Sequence, residues 1–330
     1  MEAFQKLTNL AVTNTNLANL KLQNLKELTS LVISLNLAMS SIQIGTMPRL
    51  YSLDINGNSV LKTLTIENLD LLQSLSINSN QELTSITAKN VTTLRFLSIY
   101  NADQLKAANF TNLTDVTSVT LSQHPALESI SLADLPRLTA VYINENPHLQ
   151  TLLFTNTPQV NQIDLSNCQL TSFPISILTL TSLTTLKMPF NQLSSLPTTI
   201  STDLPKLTVL DLSNNRFQGN IIQPPLIYVS ELYLANNLLT TLNGIREYKS
   251  LQKLVLDYNR ITVIPLEIMK ISPILQYLWI TSNPLSTIPY TMTNMRSLKS
   301  IFAMNNTLSY DEKAYLIKLF QVTSITINLF

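Results

Sequence analysis

The segment LYSLDINGN, Leu50–Asn58, returns 22 residues later as LQSLSINSN, Leu72–Asn80. Written as L-x-x-L-x-L-x-x-N, this pattern recurs along the whole chain at spacings of 21–24 residues. Its fifteen copies begin at Leu7, Leu28, Leu50, Leu72, Leu94, Val116, Leu138, Val160, Leu183, Leu207, Val229, Leu251, Leu275, Leu298 and Val322. One repeated unit therefore accounts for the 330 residues.

Each copy predicts one short β-strand. In Leu210, Asp211 and Leu212, for example, apolar and polar residues alternate, so the leucines turn to one side of the strand. A single unit of this length cannot bury its own apolar face, and successive coils must stack. The pattern resembles the leucine-rich repeat family over the full length of the chain. This resemblance implies an α/β fold, a curved right-handed horseshoe-shaped solenoid of about 15 repeats with a parallel β-sheet on its concave face.

Asparagine dominates the ninth position of the repeat. The ten copies that carry it have Asn36, Asn58, Asn80, Asn146, Asn191, Asn215, Asn237, Asn259, Asn283 and Asn306. An inward amide can donate and accept at once, which satisfies backbone groups of the turn that would otherwise lack partners. We interpret these asparagines as structural. The other copies have Thr15, Ala102, His124, Cys168 and Phe330, and we expect Cys168, the single cysteine, to be buried.

The back half of the repeat has two forms. Up to residue 168 it reads like a second strand, as in Leu61, Leu64 and Ile66. From residue 169 it becomes L-x-x-L-P-x-x-I, and proline there predicts an irregular or short 3₁₀ crossing. No Gly/Ser-rich or charged linker interrupts the period. We therefore predict one solenoid over residues 1–330, with 22-residue repeats in 1–168 and LPxxI-type repeats in 169–330.

The last repeats contain a helix signal. Ser309–Glu312, SYDE, is a capping-box pattern that predicts a helix through about Phe320. The side chains that we expect on its core face are Ala314, Leu316, Ile317 and Phe320. A strand over Val322–Ile327 would then begin a repeat that stops at Phe330 without a cap, which predicts association through an open C-terminal end.

The composition limits the kinds of partner and the cellular compartment that we expect for this protein. Charged residues make up 12% of the chain and the net charge is +1, so no basic field attracts nucleic acid. No apolar run approaches the roughly 18 residues that a membrane span needs. The neutral polar surface favours a secreted or cell-surface protein. However, no secretory signal follows Met1, and a native start at that residue would indicate the cytoplasm.

The sequence offers little chemistry. His124 and His148 have no cysteine or acidic cluster at ligand spacing beside them. There is no phosphate loop or nucleophile elbow, and the chain has only four glycines. We predict no enzyme activity, no catalytic residue, no metal site and no cofactor.

The predicted site lies on the concave face of the late repeats. Outward positions are small and polar in early repeats, but from the eleventh repeat they become large and apolar: Tyr233, Val255, Tyr277, Trp279, Phe302 and Met304. Clustered rigid aromatic residues predict a binding patch. Asp211, Glu231, Lys253 and Asp257 are predicted as a polar flank that orients the ligand. The alternative interpretation is that the rings only stack on each other and stiffen the sheet. A smaller group, Phe96, Tyr100 and Tyr142, is the weaker candidate.

These residues lead to a hypothesis of function. The chain is predicted to be a non-enzymatic scaffold that binds a protein or peptide ligand on its concave face. The late repeats, as in LTVLDLSNNRFQGNI at 207–221, resemble those of leucine-rich repeat receptors and receptor-like kinases, which implies the ligand-sensing part of a receptor. Two alternatives stay open. One is an intracellular adaptor or regulatory subunit, and the other is a carbohydrate- or cell-wall-binding module, because Tyr and Trp flanked by Asn and Asp can stack on sugar rings.

Overall fold

The computed structural model describes residues 6–89, 91–220, 225–271 and 273–330. Ile221, the last residue of the receptor-like segment, lies outside the described residues. The chain divides into two compact units, Met1–Gln169 and Leu170–Phe330. The division lies beside Cys168, where the form of the repeat changes. The single solenoid over 1–330 stays a prediction.

The first unit is built from short strands. In residues 6–89 and 91–169 they are β1 (Asn9–Thr13), β2 (Asn19–Leu22), β3 (Ser30–Ser34), β4 (Ser41–Ile44), β5 (Ser52–Asn56), β6 (Thr63–Glu67), β7 (Ser74–Asn78), β8 (Ser85–Lys89), β9 (Phe96–Tyr100), β10 (Ala107–Thr111), β11 (Ser118–Ser122), β12 (Ser129–Ala133), β13 (Ala140–Tyr142), β14 (Thr151–Thr155) and β15 (Gln162–Asp164). The odd-numbered strands form a parallel front sheet in chain order. The even-numbered strands form two back sheets, β2-β4-β6-β8 and β10-β12-β14. The predicted second strand of the early repeats is confirmed.

The core of this unit lies between the front and back strands. Leu53 and Ile55 on β5 and Leu64 and Ile66 on β6 are at most 1% exposed. Parallel pairing keeps the same position of each repeat in line, so that Leu53 faces Leu75 on the next front strand. The pleat turns the intervening residues to the opposite face. We call this outer side of the front strands the front face.

The second unit has a front sheet and a less regular back. In residues 170–220, 225–271 and 273–330 its front strands are β16 (Thr185–Lys187), β17 (Val209–Asp211), β19 (Glu231–Tyr233), β21 (Lys253–Val255), β22 (Tyr277–Trp279), β23 (Ser300–Phe302) and β24 (Thr326–Asn328), with β18 (Gln218–Asn220) and β20 (Leu238–Thr241) paired behind them. The back also has the 3₁₀ helices Ile175–Thr179, Ile245–Glu247, Leu266–Ile271 and Tyr290–Asn294, and the helices α1 (Ile200–Asp203) and α2 (Tyr310–Phe320). The 3₁₀ crossing is confirmed after Pro174, Pro265 and Pro289, whereas the turn after Pro197 closes as the short α1.

Helix α2 begins as predicted. The Ser309 hydroxyl accepts a hydrogen bond from the Glu312 backbone N–H at 3.1 Å. Leu316 and Phe320 are buried, but Ala314 and Ile317 are exposed, so their prediction as core residues was wrong. Leu316 and Phe320 stand one turn apart on the same side of the helix, and the buried stripe is too narrow to include the other two. Among the described residues, no helix is both long and apolar enough to cross a bilayer.

The asparagine column makes a hydrogen-bonded ladder inside each unit. Nine of its ten members are buried, and Asn306 is half-buried. The Asn36 N–H donates to Asn58 Oδ1 at 3.2 Å, and the Asn58 N–H donates to Asn80 Oδ1 at 3.0 Å. The amide Nδ2 of Asn58 reaches back to the Ile33 carbonyl at 3.0 Å. Their structural interpretation is confirmed, because the amides satisfy buried backbone groups of neighbouring repeats.

His124 occupies the asparagine position of its repeat and makes the equivalent hydrogen bonds. Its Nε2–H donates to the Ile99 carbonyl at 3.1 Å, and its Nδ1 accepts the Ala102 N–H at 3.2 Å. These partners require the neutral ring, because a proton on Nδ1 would face another donor. Burial lowers the pKa of His124 from 6.5 to about 4. Cys168 is also buried, as predicted: its Sγ lies 3.0 Å from the Ile143 carbonyl, and burial raises the pKa of the thiol to about 12.

The residue before the ninth position has a left-handed backbone in fourteen repeats within the described part of the chain. These residues, with φ between 52° and 66°, are Asn14, Leu35, Gly57, Ser79, Asn101, Gln123, Glu145, Asn167, Phe190, Asn214, Asn236, Tyr258, Ser282 and Asn305. We call them the left-handed column. Asparagine and glycine tolerate this conformation, whereas long or bulky side chains are strained in it.

Candidate functional site

The front face of the second unit gathers the predicted site residues in three columns. Strand register places Tyr233, Val255, Trp279 and Phe302 side by side on β19, β21, β22 and β23. Tyr277 stands in the adjacent column, opposite Lys253. Met304 lies two residues beyond Phe302, in the third column. All six predicted residues are half-buried, and we call them the aromatic patch.

Three rings of the patch contact each other. The ring centroids of Trp279 and Phe302 are 5.0 Å apart with planes at 11°, so the rings are stacked. Tyr277 and Trp279 are 5.6 Å apart with planes tilted by 34°. The spacing of parallel strands, roughly 4.8 Å, brings Trp279 and Phe302 to stacking distance, whereas Tyr277 and Trp279 are two residues apart on the same face of β22. The rings therefore pack on each other as in the alternative interpretation, and they also stay half-exposed on the front face.

Lys253 links Tyr233 to this stack. Its Nζ lies 4.8 Å from the ring centroid of Tyr233 and 5.1 Å from that of Trp279, which are cation–π distances. The hydrogen bond with Tyr233 is the main cause that raises the pKa of Lys253. The Tyr233 hydroxyl donates to Glu231 Oε2 at 2.6 Å, and burial together with this bond raises the pKa of Tyr233. Lysine and tyrosine both keep their protons, and one cation is fixed between two rings.

The polar flank splits into two pairs. Glu231 and Lys253 contact the rings, as described above. Asp211 and Asp257 instead bind backbone: Asp211 Oδ1 accepts the Ser213 N–H at 2.9 Å, and Asp257 Oδ1 accepts the Thr281 N–H at 2.7 Å. Burial raises the pKa of Asp257, and the bond from Thr281 opposes that rise. Asp211 and Asp257 therefore shape the turns beside the patch, and Glu231 and Lys253 place one charge of each sign at the Tyr233 ring.

Two exposed aromatic residues, in turns that follow front strands, were not predicted from the sequence. Phe190 is 58% exposed and Tyr258 is 57% exposed, and both belong to the left-handed column. Tyr258 directly follows Asp257 of the polar flank. The signal was present in the sequence, because the position before the ninth residue mostly carries asparagine, serine or glycine. An aromatic side chain kept in a strained backbone and in solvent is a candidate ligand contact.

We expect Tyr258→Asn to raise the free energy of unfolding by about 1 kcal/mol, because asparagine removes the left-handed strain. Urea unfolding of the variant and the wild type measures the difference. Tyr290→Asn is the matched control: Tyr290 is 66% exposed but lies in a 3₁₀ helix outside the left-handed column. A loss of stability in Tyr258→Asn would show instead that the ring packs against its neighbours.

The weaker candidate group, in the first unit, does not form a ring cluster. Phe96 begins β9 and Tyr100 ends it, and Tyr142 ends β13. Among the described residues of that unit, no ring contact joins the three. A groove of about 430 Å³ lies between Tyr100 and Tyr142 instead.

Residues that could hold a metal ion do not come together in the part of the chain that the structure describes, where no group of three or more His, Cys, Asp or Glu residues lies at ligand distance. The site offers apolar surface, half-exposed rings, the pair Glu231 and Lys253, and a second cation, Lys299, whose Nζ lies 5.5 Å from the ring centroid of Tyr277. Its chemistry suits binding.

Comparison with known proteins points to one family. Residues 249–308 and 206–226 match family models described as leucine rich repeat. An uncharacterized leucine-rich repeat-containing protein of Schizosaccharomyces pombe is 34% identical over 107 residues, which cover 32% of this chain and 17% of that protein. Osteomodulin of Bos taurus is 31% identical over 152 residues, which cover 44% of this chain and 35% of osteomodulin. The chain thus spans about a third or less of the length of these relatives.

Solved structures show the same architecture. A chain in the Toll–Spatzle complex of Drosophila is 19% identical, with a TM-score of 0.60, over 93% of this chain and 47% of that one. At this identity the similarity shows the fold alone. The parallel front strands, the repeat length and the buried asparagines agree with that fold.

Proposed function

Because this chain is a leucine-rich repeat protein, we propose that it is a non-enzymatic interaction module whose aromatic patch binds a protein or peptide ligand. The observation that carries the proposal is the stack of Tyr277, Trp279 and Phe302, which remains half-exposed on the two neighbouring strands β22 and β23. Most equivalent positions of the early repeats hold small polar residues such as Ser52 and Ser74. Aromatic rings held rigidly in one place are what a binding hot spot requires.

The packing of the rings supports binding because it preorganises them. Stacked side chains lose little additional conformational entropy when a ligand covers them. If the ligand buried about 400 Å² of apolar surface, burial at roughly 25 cal/mol per Å² would contribute about 10 kcal/mol. Association costs of several kcal/mol leave a dissociation constant in the micromolar range.

The charges of the patch indicate the kind of peptide that fits. Lys253 lies over two rings and its charge is offset by Glu231 on the neighbouring strand. A second cation, Lys299, lies 5.5 Å from the Tyr277 ring, and the flanking carboxyl groups of Asp211 and Asp257 oppose it. Because charges of both signs are present, a strongly acidic or basic ligand gains little. We propose a peptide segment with aromatic or aliphatic anchors and a small net charge, whose affinity depends only weakly on salt.

The architecture agrees with this role. The Drosophila structure with the same fold is a complex between two proteins. The role as the ligand-sensing part of a receptor and the role as an intracellular adaptor both use such a module, and they differ in compartment rather than in the site.

The experiment uses Trp279, the only tryptophan, as a reporter inside the site. Peptides selected from a random display library on the full chain are synthesised and titrated while Trp279 fluorescence is followed. We expect a shifted emission maximum, saturable binding, and about a tenfold or greater loss of affinity in Tyr277→Ala/Phe302→Ala. Tyr290→Ala/Tyr310→Ala is the matched control, because these tyrosines are 66% and 78% exposed and lie outside the patch.

Each contrary outcome has a definite meaning. Equal affinity in the Tyr277→Ala/Phe302→Ala variant would remove the patch from recognition. An emission change with neutral oligosaccharides, and none with peptides, would favour the carbohydrate-binding alternative. A large fall in melting temperature without any selected ligand would show that the rings only stiffen the sheet.

A further inference from the structure

We propose that the groove between Tyr100 and Tyr142, on the front face of the first unit, binds a neutral oligosaccharide. The groove has a volume of about 430 Å³, within the usual range for small-ligand sites. It is lined by Tyr100, Thr120, Ser122, Gln123, Tyr142, Asn144 and Glu145. The site is separate from the aromatic patch, and the inference does not depend on the function proposed for that patch.

Strand register produces the shape of the groove. Tyr100 on β9 lies opposite Ser122 on β11, and Thr120 on β11 lies opposite Tyr142 on β13. The two tyrosines therefore stand on either side of one strand whose outward residues are short. Their strands are separated by roughly 10 Å, twice the usual strand spacing. Because Tyr100 is paired with Ser122 and Tyr142 with Thr120, the two tyrosines are also offset by two residues along the sheet, and an oligosaccharide that contacts both rings would cross β11 diagonally.

The floor and the rim of the groove offer hydrogen bonds suited to sugar hydroxyls. Hydroxyl and amide groups both donate and accept, as a sugar hydroxyl does. The Ser122 hydroxyl donates to Asn144 Oδ1 at 3.4 Å, and Gln123 Nε2 donates to Glu145 Oε2 at 3.2 Å. Tyrosine adds an apolar ring face with a polar tip. The lining thus combines the two properties that a polyhydroxylated ring requires.

Charge selects among sugars. Glu145 is the only charged residue in the lining, and the lining has no lysine or arginine. A phosphorylated, sulfated or uronic acid ligand would meet an unopposed carboxylate. Neutral oligosaccharides fit, and acidic ones are disfavoured.

The backbone conformation of Gln123 and Glu145, at the rim of the groove, gives an independent reason to assign these residues a role in ligand binding. Gln123 and Glu145 belong to the left-handed column, with φ of 64° and 57°. Their counterparts in the neighbouring repeats on both sides are Asn101 and Asn167, residues that tolerate this conformation. The two strained residues lie in consecutive repeats, bind each other and line the groove. Their longer side chains reach a ligand that asparagine could not contact.

The test titrates the full chain with cellohexaose, hexa-N-acetylchitohexaose and mannohexaose by calorimetry, with hexagalacturonic acid as the acidic probe. We expect at least one neutral hexasaccharide to bind with a dissociation constant of about 10 µM to 1 mM, and the acidic probe to bind at least about tenfold more weakly. Tyr100→Ala and Tyr142→Ala should each weaken binding about tenfold or more, while Tyr142→Phe, which keeps the ring face, should stay within about threefold.

The controls separate recognition from folding. Phe96→Ala removes another exposed ring from β9 that does not line the groove, and should leave the affinity unchanged. Thr120→Tyr fills the groove and keeps both tyrosines, so it should abolish binding even if an alanine variant fails to fold. Peptide binding reported by Trp279 should be the same in all of these variants. The proposal is overturned if no neutral hexasaccharide binds with a dissociation constant below about 1 mM, if Tyr142→Ala or Thr120→Tyr binds like the wild type, or if the acidic probe binds best.

Discussion

Replacing Asn237 by alanine is expected to lower the free energy of unfolding by about 3 kcal/mol. Its Nδ2 donates to the carbonyls of Leu212 at 3.0 Å, Leu234 at 3.1 Å and Ala235 at 3.3 Å, and its Oδ1 accepts the Phe217 N–H at 3.0 Å. The side chain is 4% exposed, so water cannot replace these partners. Alanine leaves several buried backbone groups unsatisfied at once.

Urea unfolding and hydrogen exchange at the Phe217 amide measure this loss. Asn243→Ala is the control, because Asn243 is an exposed asparagine later in the same repeat, and its replacement should change stability by less than about 0.5 kcal/mol. Asn237→Asp should be more destabilising than Asn237→Ala, since a carboxylate would face three carbonyl oxygens. Similar stabilities for Asn237→Ala and Asn243→Ala would contradict the role assigned to the asparagine ladder.

Acid is expected to destabilise the first unit through His124. The pKa of this group falls from 6.5 in the unfolded chain to about 4 in the folded protein, because burial disfavours the charged ring. The unfolded state therefore binds more protons between these values. The stabilising contribution is complete above pH 6.5 and is lost as the pH falls toward 4. Its full size is on the order of 3 kcal/mol.

His124→Asn should remove this pH dependence, since asparagine occupies the same position in ten other repeats. Thermal and urea unfolding at pH 7.5, 6.5, 5.5 and 4.5 compare the variant with the wild type. The variant should gain relative stability below pH 6.5 and change little above it. His148→Asn, at an exposed position, is the control and should follow the wild type. Parallel pH curves for the wild type and His124→Asn would contradict the assignment.

The repeat pattern predicted most of the fold because it specifies which side chains of each repeat point inward and pack against the next repeat. Inward leucines, buried asparagines and the second strand of the early repeats follow from alternation within one unit and from stacking on the next. The buried face of α2 was predicted less well. Hydrophobicity suggested Ala314 and Ile317, but the burial of a helix depends on the direction from which its neighbours approach, and a local pattern does not contain that direction.

The members of the aromatic patch could be predicted, but their contacts could not. Position in the repeat gives the column of each residue, and fixed register then gives its neighbours. Whether Trp279 stacks on Phe302, and whether Lys253 lies over two rings, depends on side-chain torsions that the repeat does not specify. Phe190 and Tyr258 were missed for another reason: the sequence shows that they depart from the usual Asn, Ser or Gly of their turn position, but the positive φ that makes this departure informative comes from the structure.

The asparagine ladder has a consequence for how such a protein can change in length. Each rung bonds to backbone or side chains in its own repeat or in the adjacent repeats, about 22 residues away. A duplication or deletion of one whole repeat within a unit would therefore join a rung to an equivalent rung and leave no bond without a partner. Unequal recombination can thus lengthen or shorten the front face by about one strand spacing at a time. Whole repeats can be gained or lost without redesign of the core, whereas an insertion of a few residues would break the ladder.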